Sequence, residues 1–153
     1  MKLTRLALEN WRNIPHALIE PEDGLNVLCG ENGQGKTNLL EAVWMLTGAK
    51  SFRAAKDAEM IRRGADFAVL DGAAECGGRV QTIYLTVGGP GTQRPGRTAR
   101  LNGVDKGRAA SLAGFSVGIF WPCALSIGAS SIRGGGVALF AMLALFGDVG
   151  CTT

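Results

Sequence analysis

The stretch from residue 25 to residue 48, LNVLCGENGQGKTNLLEAVWMLTG, constrains the fold more than any other part of the chain. A short apolar segment runs into a glycine-rich loop, and apolar residues then recur at helical spacing. The loop fits the pattern G-x-x-x-x-G-K-[S/T], with Gly30, Gly35, Lys36 and Thr37 at its fixed positions. A strand, a glycine loop and a helix in this order predict an α/β fold with a phosphate-binding loop.

Each fixed residue has a physical role when a nucleoside triphosphate binds. Glycines let the backbone turn with its amide groups pointing inward, and the helix N terminus adds partial positive charge. Lys36 is expected to reach the β- and γ-phosphates, and the Thr37 hydroxyl to be a ligand of Mg2+. ATP and Mg2+ are therefore the predicted cofactors. The predicted nucleotide-binding residues of the loop are Gly30, Glu31, Asn32, Gly33, Gln34, Gly35, Lys36, Thr37 and Asn38. A glycine turn of another fold is the alternative, but it requires neither the lysine nor the threonine.

The length and cysteine usage narrow the class of protein. A chain of 153 residues suffices for one domain with a real core. Its four cysteines lie far apart with no C-x-x-C pair, and its one histidine is His16, so a zinc site or a Cys/His nucleophile is not expected. The N terminus lacks the apolar core of a signal peptide, which predicts a cytoplasmic protein with reduced thiols.

The strand predictions come from alternation and turn residues. Residues 1–10 are predicted to pair with residues 17–20 across a turn at Asn13 to Pro15. Further strands are predicted at residues 67–74, 80–87 and 98–101, with turns at 75–78 and at Asn102-Gly103 and a Gly/Pro loop at 88–96. These later strands would form an antiparallel sheet beside the nucleotide-binding core.

Positive charge is concentrated downstream of the loop. Residues 1–49 hold four Lys/Arg against six Asp/Glu, whereas residues 94–108 hold five against one. Basic residues along a sheet edge can neutralise DNA phosphates without reading the base sequence. The predicted DNA-binding residues are Arg94, Arg97, Arg100, Lys106 and Arg108. A basic face that is merely solvated is the alternative.

Five segments together resemble the N-terminal part of the RecF family, bacterial DNA repair and replication ATPases related to the SMC and ABC proteins. They are LENWRNI at residues 8–14, GENGQGKTN at 30–38, KSFR at 50–53, MIRRGAD at 60–66 and RLNG at 100–103. Their order and spacing are those of the family. The asparagines at 32 and 38 are typical of the SMC-like form of the loop.

This resemblance implies a phosphate-loop NTPase of the ABC/SMC head type, with a mixed sheet, an antiparallel side sheet and an incomplete C terminus. It implies a protein that binds ATP and DNA, forms an ATP-dependent homodimer, and loads recombinase at gaps with RecO and RecR in the SOS response. It also makes Arg12 a candidate nucleotide contact, the alternative being a solvated charge at a strand end. A small phosphate-loop nucleotide or metabolite kinase is the second functional hypothesis.

The resemblance ends near residue 120, which divides the chain into an N-terminal head portion (1–120) and an atypical tail (121–153). The stretch from residue 113 to 153 has only two charged residues, Arg133 and Asp148, and its apolar run at 137–146 is shorter than the ~20 residues of a membrane helix. We interpret the tail as truncated or frame-shifted. Residues 143–148 look like a Walker B strand, yet Val149 follows where a catalytic glutamate is expected. No catalytic residue is assigned, and ATP hydrolysis is not expected.

Overall fold

The computed structural model describes residues 2–48, 50–54, 56–76, 78–107 and 141–144. Within these ranges the chain forms one α-helix, α1 (Lys36–Met45), and one 3-10 helix (Asp57–Met60). The strands are β1 (Lys2–Trp11), β2 (Ile14–Ile19), β3 (Leu25–Leu28), β4 (Phe67–Cys76), β5 (Arg79–Gly88), β6 (Gly96–Leu101), β7 (Val104–Asp105) and β8 (Ala141–Ala144). Neither of these two helices is long and apolar enough to cross a membrane.

Two sheets organise these strands. The larger has the order β2-β1-β4-β5-β6-β7, and the smaller pairs β3 with β8. All pairings between described strands are antiparallel. The predicted N-terminal hairpin and the predicted middle strands therefore belong to one continuous antiparallel sheet, because β1 pairs with β2 on one side and with β4 on the other. Apart from β8, the tail predicted at residues 121–153 lies outside the described residues.

Two of the predicted turns are longer than those in the structure. Strand β2 begins at Ile14, so the first turn is Arg12-Asn13 rather than Asn13 to Pro15. Pro15 is tolerated inside β2 because an edge strand does not need every N–H for a neighbour. The β4–β5 turn likewise lies between Cys76 and Arg79. The Asn102-Gly103 turn is confirmed, and both of its residues have the positive φ angles, 51° and 78°, that such a two-residue hairpin requires.

Helix α1 packs closely on the inner face of the larger sheet. The inner face of β1 contributes Leu6, Leu8 and Trp11 to the core, and α1 and the residue after it contribute Val43 and Leu46. The approach is tight at Gly72 of β4, where an added Cβ would lie 2.8 Å from a terminal carbon of Leu46. The sheet therefore leaves little room for a side chain at residue 72, where the C-terminal end of α1 packs on it.

Candidate nucleotide-binding site

The glycine loop lies between β3 and the N terminus of α1. Gly33 and Gly35 have φ angles of 85° and 109°, in the region that residues with a side chain rarely adopt. Gly35 occupies the N-cap position of α1, and no side chain caps the helix there. The N–H groups of the first helical turn are therefore left for another acceptor, which makes this N terminus suitable for an anion.

Lys36 lies across the loop. Its ammonium group donates hydrogen bonds to the carbonyl oxygens of Gly30 and Glu31, each over 2.6 Å, and the residue is only 9% exposed. None of the ion pairs within the described ranges involves Lys36, so its charge is not neutralised there. Thr37 is half-buried, and its hydroxyl makes no hydrogen bond to another described residue. The Lys36 ammonium thus has one N–H beyond these two hydrogen bonds, and the Thr37 hydroxyl also remains, for contact with a phosphate group and its cation.

The turn between β1 and β2 contacts the loop. The side-chain amide of Asn13 donates to the carbonyl of Gly33 over 3.1 Å, and its oxygen accepts from the amide of Asn38 over 2.7 Å. Asn38 also accepts from Arg53 through its side-chain oxygen (2.6 Å) and from the Trp11 indole through its backbone carbonyl (2.8 Å). Asn13 is not among the predicted site residues, although the W-R-N segment contains it.

Arg12 is bound to Glu41 of α1 by a two-point contact. Its Nε and Nη2 atoms donate to the two carboxylate oxygens over 2.8 and 2.7 Å, and Nη1 donates to the Glu59 carbonyl over 2.8 Å. The side chain of Glu41 is fully buried and that of Arg12 is 16% exposed. The alternative interpretation of Arg12 as a solvated charge is therefore wrong. Its contact with the nucleotide stays a prediction, and Glu41 is a residue that the sequence did not single out.

Hydrogen bonds and nearby charges lower the pKa of Glu41 by more than its burial raises it. Burial by itself would raise the pKa of this carboxyl, but donation from Arg12 and from the Ser51 hydroxyl, with the nearby charges of Arg12 and Arg53, lowers the pKa below its usual range. A carboxyl whose folded pKa is depressed contributes stability above the unfolded pKa. That contribution is lost as the pH falls through the lower, folded value.

We therefore expect the wild-type chain to lose stability below about pH 4.3, the ordinary glutamate pKa, more steeply than Glu41→Gln, which cannot titrate at this position. Urea unfolding of both proteins from pH 7 to pH 3 measures this difference. The other carboxyl groups are common to both chains and cancel in the comparison. Parallel pH profiles would contradict a buried, ionised Glu41.

The residues predicted to bind DNA have different surroundings. Arg94, Arg100 and Lys106 are exposed. Arg97 lies in an ion pair, with its Nε atom 3.1 Å from a carboxylate oxygen of Asp57, and its side chain is 16% exposed. Arg108 lies outside the described residues. The DNA-binding role of the whole set stays a prediction. Its exposed members differ from Arg97, which is already paired with a carboxylate.

The chain is similar to known proteins in both sequence and structure. The family model described as "AAA domain" matches residues 5–84, more than half of the chain. The chain is 37% identical over 114 residues to the DNA replication and repair protein RecF of Geobacillus thermodenitrificans. This match covers 74% of this chain and 29% of that relative. The matched part of the chain thus spans about a third of the length of these curated relatives.

Two solved structures are similar to this fold. One is the recombination mediator protein RecF with ATP in the RecFOR pathway, with a TM-score of 0.68 and 27% identity over 78% of this chain and 32% of that one. The other comes from work on ATP-driven dimerization and DNA-stimulated activation of SMC ATPases. It has a TM-score of 0.62 and 20% identity over 73% of this chain and 77% of that one, and so shows the fold alone. The fold is that of an ABC/SMC-type ATPase head.

The chain therefore belongs to the AAA domain family, and the resemblance to the N-terminal part of RecF that its motifs predicted is confirmed.

Proposed function

We propose that this chain is the ATP- and DNA-binding N-terminal portion of a RecF-type protein of recombinational DNA repair and replication. ATP would lie in the loop with Mg2+, and the head would dimerise with ATP at the interface. RecO and RecR would be its partners in loading recombinase at gaps during the SOS response, in the cytoplasm. Residues 1–120 would form this portion, and residues 121–153 would form a separate tail.

One observation carries the ATP-binding part of the proposal. Lys36 is nearly buried, has no carboxylate partner among the described ion pairs, and lies across a loop whose helix N terminus no side chain caps. A buried positive charge beside uncapped N–H groups favours a polyphosphate. The similarity to a RecF structure with ATP supports the same ligand. A small kinase is not favoured, since the matching relatives are RecF proteins.

Titration of the chain with ATP, with and without Mg2+, tests the proposal. Thr37→Ala should weaken binding by roughly 1 kcal/mol when Mg2+ is present, because the ion loses a ligand, and should change little in its absence. Thr47→Ala, at a residue just beyond the same helix, is the matched control. Equal weakening with and without Mg2+ would show that Thr37 does not act on the cation.

The exposed basic residues give a separate test of DNA binding. Replacing Arg94, Arg100 and Lys106 with alanine should weaken binding to duplex DNA of any sequence. The slope of log affinity against log salt should flatten by about 0.9 for each DNA phosphate that the variant no longer neutralises. The change is measured by fluorescence anisotropy across a salt series. Arg79→Ala, at the exposed start of β5, is the control, and an unchanged slope in the triple variant would mean that these residues are only solvated.

A further inference from the structure

Two consecutive residues of the β1–β2 turn bind different parts of the chain. Arg12 is held by Glu41 and by the Glu59 carbonyl, and its φ of 56° lies in a region that non-glycine residues rarely adopt. Asn13, the next residue, donates to the Gly33 carbonyl inside the loop. Because the two residues are adjacent, the place of the Asn13 amide depends on where Arg12 is held.

Asn13 touches the loop at a second point. A Cβ added to Gly35 would lie 3.0 Å from the Asn13 side-chain oxygen, so this oxygen lies directly against the last glycine before Lys36. The same oxygen accepts a hydrogen bond from Asn38, one turn into the helix. The amide therefore lies against the loop at Gly33 and Gly35 and against the helix that follows.

We propose that Glu41 is a positioning residue for the phosphate loop, which acts through Arg12 on Asn13. This inference rests on the proposed binding of ATP to the loop. The two-point contact fixes the orientation of the guanidinium as well as its distance, because its donors match both carboxylate oxygens. The Ser51 hydroxyl donates to the same carboxylate and fixes its rotation. The turn is thereby held in one place relative to α1 and the loop.

A role in stability alone would not require this pair. Replacing both partners of a buried ion pair with apolar residues of similar volume often leaves stability unchanged or increases it. Such a replacement keeps the helix packed on the turn but removes the directional contact that holds the unusual backbone angle at Arg12. The two roles therefore predict different outcomes for one double variant.

The test measures two quantities for each variant, its ATP affinity in the presence of Mg2+ and its thermal unfolding midpoint. The double variant Arg12→Met/Glu41→Leu should unfold close to wild type and bind ATP roughly tenfold more weakly. Asn13→Ala removes an exposed side chain and buries no charge, and it should weaken ATP binding to a similar extent. Combining Asn13→Ala with the double variant should add little further loss of affinity, because both changes interrupt the same path, whereas additive losses would point to a direct contact of Arg12 with the nucleotide and would overturn the inference.

The control is the matched double variant Arg5→Met/Asp71→Leu. It removes the half-exposed ion pair between β1 and β4 and should leave ATP affinity unchanged. Wild-type affinity in a folded Arg12→Met/Glu41→Leu chain would overturn the inference. If that variant does not fold, wild-type affinity in Asn13→Ala overturns it instead. Failure of the unaltered chain to bind ATP would refute the proposed function itself.

Discussion

Lys36→Ala should lower the affinity for ATP by ~1.5 to 3 kcal/mol, or roughly tenfold to a hundredfold. The substitution removes the ammonium group that lies across the loop, where it donates to the carbonyls of Gly30 and Glu31 over 2.6 Å. The two carbonyl groups that would be left without this donor belong to exposed residues and can bond to water, so the fold should be kept. Isothermal titration with ATP and Mg2+ measures the change.

Lys50→Ala is the matched control for this experiment. Lys50 is exposed and lies beyond the end of α1, so its removal alters net charge equally but leaves the loop intact. Its ATP affinity should equal that of wild type. Equal affinity in wild type and Lys36→Ala would contradict the assignment of residues 30–38 to nucleotide binding.

Glu41→Ala should lower the free energy of unfolding by ~3 to 5 kcal/mol. The carboxylate is fully buried, and removing it leaves the Arg12 guanidinium largely out of water without its two acceptors. The destabilisation comes mainly from this uncompensated charge and not from the missing side-chain volume. Urea denaturation followed by circular dichroism at pH 7 measures the difference.

Asp71→Ala provides the comparison. Asp71 pairs with Arg5, but both side chains are more than a third exposed, so water can take the place of the carboxylate. An exposed pair of this kind is worth about 0 to 1 kcal/mol. If Glu41→Ala proved no more destabilising than Asp71→Ala, the buried pair would not hold the turn against α1.

Local patterns predicted the local parts of this structure. The loop and the start of α1 follow from a contiguous motif, and the Asn102-Gly103 hairpin follows from residues that accept positive φ angles. The predicted first turn begins one residue late and ends two residues late, because Arg12 takes a positive φ that arginine rarely adopts without tertiary contacts. The contacts that allow it, to Glu41 and to the Glu59 carbonyl, lie 29 and 47 residues away.

Contacts between residues distant in sequence could not be predicted from such local patterns. The pairing of β1 with β4 joins two predicted hairpins into one sheet. The alternation of apolar and polar residues within each hairpin is the same with or without this pairing, so the alternation does not predict it. The sequence groups Arg97 with the other basic residues only by its position. Its partner Asp57 belongs to a short 3-10 helix that packs against β6, and alternation within β6 could not reveal this contact.

The register of β1 has a consequence for the order of folding. Lys2 pairs with Glu75 and Glu9 with Val69, so the strand that leads into the Arg12-Asn13 turn gains its second neighbour only after most of the described chain exists. Closing such a long segment costs chain entropy before its contacts form, and contacts of this range slow folding. The phosphate loop is short and local, yet the turn that contacts it belongs to a strand whose second pairing is long-range. During synthesis the Arg12-Asn13 turn should thus be held against the loop only after β4 has emerged from the ribosome and paired with β1.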